Sequence, residues 1–119
     1  MPVVIDVDED TFEDLVGDAL DGIPDDLAQL MSNVVVMVED GRHESGLLGL
    51  YRGVPLTRRD GGYGLGLTMP DRITIYRLPI CARCSTHREV VEQVRITVVH
   101  EVAHHFGIDD RRLTELGYG

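Results

Sequence analysis

Between residues 86 and 106 the apolar positions keep a helical period. Val90, Val91, Val94, Thr97, Val98 and Glu101 recur at intervals of three and four, with Glu92, Gln93 and Arg95 on the opposite side. Ser85 or Thr86 serves as N-cap, and Glu89 completes a capping box with Thr86. The segment is rich in β-branched residues, which are weak helix formers, so burial has to override propensity there. A second apolar stripe, Phe12, Leu15, Val16, Ala19 and Leu20, predicts a helix over residues 11–21, with Asp10 and Glu13 as its capping box and Gly22 and Pro24 as its stop. Residues 24–31 fit a second short helix. The β-branched run 33–39 reads as a strand with both faces at least partly buried. Residues 47–52 read as another strand, and the polar stretch 40–45 with Gly41 fits a hairpin loop between the two. Pro70 opens a third strand, 71–77, with Ile73 and Ile75 on one face and Thr74 and Tyr76 on the other.

The remaining pattern is loop. Residues 58–66 contain Gly61, Gly62, Gly64 and Gly66 and predict a mobile loop. No strand runs directly into this tract and no helix follows it, which argues against a phosphate loop. Residues 111–116 predict a short C-terminal turn or helix. The order is therefore α-α-β-β-β-α, an α+β domain spanning residues 1–119, in which a small sheet packs against the helix over residues 86–106.

That helix carries the chemistry. Its end reads His100-Glu101-Val102-Ala103-His104, followed by Gly107 and Asp110, an H-E-x-x-H-x-x-G-x-x-D pattern. Positions i and i+4 share a helix face, so both imidazoles can reach one metal ion. Gly107 can adopt a left-handed conformation that ends the helix and turns the chain back. Asp110 then returns as an oxygen ligand. Three protein ligands that leave a fourth position for water define a catalytic rather than a structural zinc, and Glu101 lies beside them as general base. With each residue type at roughly one in twenty, the His-Glu-x-x-His core alone arises by chance in about 1% of chains this long. Fixing Gly and Asp as well lowers that to about one in tens of thousands.

Alternatives to these assignments exist in the sequence. Asp109 is chemically identical to Asp110, and Glu115 also lies within reach as third ligand; the spacing selects Asp110. His105 faces another side of the helix and reads as a packing or ligand-supporting histidine. Tyr118 is a candidate for stabilising an oxyanion.

The chain resembles the small bacterial zincin-like proteins called minimal metallopeptidases. The resemblance is carried by Asn33 to Val36 with Glu39 and Asp40, by Leu47 to Gly53, by Pro55-Leu56-Thr57, by Pro70 to Arg77, and by Val98 through Leu113. It implies a compact zincin-like domain and a metal-dependent peptidase, a hydrolase holding one zinc per chain and acting on peptides or unfolded protein. The order of ligands, with Asp third, is also similar to the snapalysin type of metzincin. Metzincins carry a methionine turn downstream of the ligands, and no methionine follows Asp110 here. In zinc peptidases of this kind the substrate lies extended along an exposed sheet edge, for which residues 71–77 are the candidate. A rival reading is a metal- or peptide-binding module that keeps the site but turns over little, because a chain this small has few loops to wall a deep cleft.

Composition narrows the partners. The formal net charge is −10 over 119 residues. That excludes the Lys/Arg density needed to bind nucleic acid. Many of the acids fall early, among them Asp6, Asp8, Glu9, Asp10, Glu13, Asp14 and Asp18, where they read as a solvated helix face. A surface that attracts basic peptides is the sharper alternative. No basic leader precedes an apolar run and no segment has the length of a membrane span, so a cytoplasmic monomer without membrane contact is expected. Cys81 and Cys84 form a single C-x-x-C with His87 nearby. Three ligands fall short of a zinc knuckle, so two reduced cysteines in the loop before the helix are expected. Arg83 and Arg88 are expected to lower their pKa values.

Overall fold

The computed structural model describes residues 4–53 and 69–118. The elements are α1 (Glu9–Asp21), α2 (Asp25–Leu30), β1 (Val34–Glu39), β2 (Gly49–Arg52), β3 (Asp71–Tyr76), α3 (Arg77–Cys81), α4 (His87–His105) and α5 (Asp110–Glu115). The glycine-rich loop expected over residues 58–66 lies outside the described residues.

Most elements form where the periodicity puts them. Thr86 caps α4, its Oγ1 accepting the Glu89 N–H at 3.1 Å, while the Glu89 carboxylate accepts the Ser85 N–H at 3.0 Å. The expected box forms with one change: Glu89 reaches back to the N–H of Ser85, one residue before the cap. Helix α1 starts earlier than the sequence implies. Asp8, not Asp10, is its cap, accepting the Thr11 N–H at 2.8 Å. Both aspartates satisfy the local rule, and the chain selects the one that adds half a turn of helix. Helix α3 was not anticipated, because Pro79 and the preceding strand hide it. Pro79 occupies the third position of α3, inside the first turn, where a helix has no use for the missing N–H.

The sheet departs from the expected hairpin. Its order is β1-β3-β2, with β1 parallel and β2 antiparallel to β3. Strand β3 is therefore the central strand, not an edge, and residues 40–45 do not close a hairpin. The physical reason lies in β3 itself: Ile73 and Ile75 are fully buried and need neighbours on both sides. The departing chain turns at Gly41, whose φ is +67° and whose place a Cβ would share with Tyr76 Cβ at 2.9 Å. Strand β1 is also less buried than its β-branched run suggests. Val34, Val36 and Val38 pack on the core, whereas Val35 and Met37 stand 44% and 42% exposed on the other face.

Helix α4 packs against β2 and β3 on one side and α1, α2, α3 and α5 on others. Val90, Val94, Val98 and Val102 are fully buried along it, with Phe12 of α1 and Leu113 of α5 in the same core. Among the described residues no helix is long and apolar enough to cross a membrane. Phe12→Ala removes a fully buried ring from the core that α1 shares with α4 and is expected to cost about 3–5 kcal/mol, a large part of the roughly 5–15 kcal/mol typical of a domain. Urea unfolding checks it; a loss under about 1 kcal/mol would mean that α1 is not an integral part of the core.

Candidate metal centre

The last two turns of α4 leave the core on one side only. Val98, Val99, Val102 and Ala103 are buried, His100 and Glu101 are half-buried, and His104 is exposed. The helix ends at a left-handed glycine, Gly107, with φ +81°. The Gly107 N–H donates to the His104 carbonyl at 3.1 Å and the Ile108 N–H to the Ala103 carbonyl at 2.7 Å, so two of the last free carbonyls are satisfied as the chain reverses. Asp109 then caps α5, accepting the Arg112 N–H at 2.8 Å.

Asp110, the next residue, points back. Its Oδ1 lies 2.8 Å from His104 Nε2 and 3.2 Å from His100 Nδ1. One ligand atom from each of His100, His104 and Asp110 lies within 4.8 Å of the others, and this is the one such group among the described residues. Two imidazole nitrogens and one carboxylate oxygen converge here, a donor set that suits a divalent metal ion, and among the described residues no Arg pairs with this carboxylate. The hydrogen bond from His104, helped by the charge of both imidazoles, holds the Asp110 carboxyl below its usual pKa. It therefore stays an anion, the form in which a carboxylate can bind a cation.

The rival ligands are occupied elsewhere. The Asp109 carboxylate is the cap of α5, and Glu115 faces Arg112 at 3.2 Å and Arg111 at 3.6 Å. His105 turns to the sheet and stacks on Tyr51, with centroids 3.9 Å apart. The Tyr51 hydroxyl donates to the buried Asp71 carboxylate at 2.7 Å, which ties β2 to β3 beneath the helix end. Tyr118 packs against the core and closes the turn after α5 through Leu113; it does not line the cleft beside His100 and His104.

That cleft, about 290 Å³, lies between α4 and the chain entering β2. Glu101, His100 and His104 form one wall, and residues 46–49 the other. Burial pushes the Glu101 carboxyl up from its ordinary pKa, and the neighbouring His104 and His100 pull it part of the way back. Leu47 and Leu48 were expected in a strand; they stand before it and wall the cleft. The strand comes close at Gly49, where a Cβ would lie 2.7 Å from Thr97 Cγ2, so the close packing requires glycine. An isolated glycine inside a strand pattern was the available sign of that approach.

Cys81 and Cys84 are free and buried, and they form no metal-binding group with the exposed His87. Cys81 ends α3 and only Cys84 lies in the following loop. Of the expected pulls of Arg83 and Arg88 on the thiols, that of Arg83 on Cys84 is present, and it is outweighed. Burial dominates: Cys81 is raised, and Cys84 is pushed up to about 11.

A model of the zincin-like metallopeptidase family matches residues 31–119, which covers 89 of the 119 residues and every element from β1 onwards. The chain belongs to the zincin-like metallopeptidase family. A search of curated proteins found no match.

The cysteines give a direct test of this packing. A thiol whose pKa is about 11 when folded and about 8.5 when unfolded is bound to its proton more tightly in the folded state. Its contribution to stability is complete below about pH 8.5 and is lost as pH rises through that window towards 11. Urea midpoints should fall between about pH 8 and pH 10, and a Cys84→Ala variant should fall less. Native thiols should also react with a disulfide reagent far more slowly than in urea. Equal rates in the two states would contradict the burial.

Proposed function

We propose that the chain is a zinc-dependent peptidase in which His100, His104 and Asp110 hold one zinc and Glu101 is the general base. The observation that carries this reading is the convergence of the three ligand atoms beside a half-buried carboxylate whose pKa is raised, on the wall of a cleft that faces a sheet edge. Zinc bound there would supply a Lewis acid for the scissile carbonyl and make water acidic enough to deprotonate near neutral pH. Glu101 accepts the proton as the water oxygen bonds to the carbonyl carbon. It then delivers that proton to the amine nitrogen as the carbon–nitrogen bond breaks, so the carboxylate is regenerated. A raised pKa suits a group that must both take and give a proton near neutrality.

The substrate is a peptide or unfolded segment lying along β2, the edge strand that borders the cleft. Backbone pairing with an edge strand recognises an extended chain without regard to most side chains. The second reading, a binding module with little turnover, draws its support from exposure: Asp110 is 70% exposed, and a wet site weakens the electrostatics on which the chemistry depends.

Protein purified without chelator or tag is expected to contain about one zinc per chain. His100→Ala with His104→Ala should remove it, and Glu101→Gln should retain it. On a library of short peptides read by mass spectrometry, Glu101→Gln should lower cleavage by about 10²- to 10⁴-fold. Zinc retained by the double histidine variant would overturn the assignment of ligands. Peptide binding without cleavage in the zinc-loaded wild type would favour the module. Chelation should leave the fold intact with a modestly lower melting temperature, since the core is apolar and includes none of the proposed ligands.

A further inference from the structure

The sheet has a second open edge. Strand β1 bonds to β3 on one side and, among the described residues, to no strand on the other. The ladder shows which of its groups are spare. The Asn33 carbonyl accepts the Asp71 N–H at 3.0 Å, and successive residues of a strand aim their backbone groups to opposite sides. The N–H and C=O of Val36 and Val38 therefore point away from β3, and no hydrogen bond among the described residues fills them.

The space beside these groups has a definite character. A groove of about 460 Å³ runs between β1 and α1, with Val36 and Val38 on one side and Val16, Gly17 and Leu20 on the other. It is open at Gly17, where an added Cβ would meet nothing within 4 Å. Towards Glu39 it shares Glu13 and Val38 with a second hollow, of about 310 Å³, that is otherwise lined by Glu9, Glu39 and Asp40. Arg77 engages Asp40 at 2.9 Å. Glu9, Glu13 and Glu39 have no cationic partner among the described residues.

Each feature specifies part of an occupant. Outward backbone groups pair with an extended chain. The groove takes apolar side chains at alternate positions of that chain. The uncompensated carboxylates at the Glu39 end attract Lys or Arg. A second copy of this protein meets the first two conditions and fails the third, since it carries a net charge of −10 and would set its own carboxylates against these. Helix α1 also precedes the residues matched to the family, so one wall of the groove is built by chain outside that match.

We propose that the edge of β1 and the groove under α1 form a docking site for an extended segment of a partner protein, apolar at alternate positions and basic where it meets Glu39. The site is separate from the metal centre, which adjoins the opposite sheet edge at β2.

The test uses a fluorescein-labelled peptide with paired arginines followed by alternating valine and threonine. It is titrated into zinc-loaded Glu101→Gln protein, so that it is not consumed at the metal centre. Saturable binding is expected, weakening as salt rises. Gly17→Leu fills the groove with a better helix former, so the fold is kept and affinity should drop by about tenfold or more. Glu13→Lys with Glu39→Lys, or replacement of the peptide's arginines by glutamates, should weaken binding by a similar factor, on the order of tenfold. Amide shifts on binding should centre on Val36 and Val38. Absence of saturable binding overturns the proposal. So do an affinity left unchanged by Gly17→Leu or by charge reversal of the peptide, shifts centred on β2, or a dimer in sedimentation that Gly17→Leu dissolves.

Discussion

The burial of α4 is the constraint on which the other elements depend. Eight of its 19 residues are β-branched, each a weaker helix former than alanine by roughly half a kcal/mol. Full burial of a valine contributes about 1.5 kcal/mol or more, so the helix is stable only when surrounded. The sheet covers one side, and α1, α2, α3 and α5 cover others. This explains why a small domain devotes so many short elements to one long helix. It also explains why the histidines are well placed: the turns that carry them are anchored by Val98, Val99 and Val102 and open to solvent on a single face.

The metal-binding end divides its work between neighbouring residues of similar chemistry. Gly107 reverses the chain at a backbone angle that other residues adopt with strain. Asp109 spends its carboxylate on the first turn of α5, which leaves Asp110 free to face the imidazoles. His104 faces Asp110, whereas His105, one residue on, stacks against Tyr51 and joins the helix end to the sheet. Between the histidines the step of one residue is about 100° around the helix, and between the aspartates it crosses from the extended cap into α5.

The parts legible in the sequence are those that local physics decides. The span and capping box of α4, the left-handed turn at Gly107, the faces of β3 and the grouping of His100, His104 and Asp110 all follow from spacing. Strand neighbours were not legible. A period of two says which face a residue takes, and it is silent about which strand lies alongside, so the insertion of β3 between β1 and β2 could not be read from residues 33–52. Helix α3 was masked by Pro79, a breaker in most positions and harmless in a first turn. The cysteines misled for a related reason. Arg83 and Arg88 are close in sequence yet exposed, while the thiols are buried, and desolvation outweighs a screened charge.

Of the proposed ligands, two sit on α4 and the third on α5, a helix of 6 residues held by the buried Leu113. A cation shared by all three would therefore act as a rivet between two pieces of secondary structure. Linkage makes the relation mutual: whatever loosens α5 weakens the hold on the ion, and the ion strengthens the docking of α5 by the same free energy. On that assignment the order of the C-terminal segment and the metal content of the protein would rise and fall together.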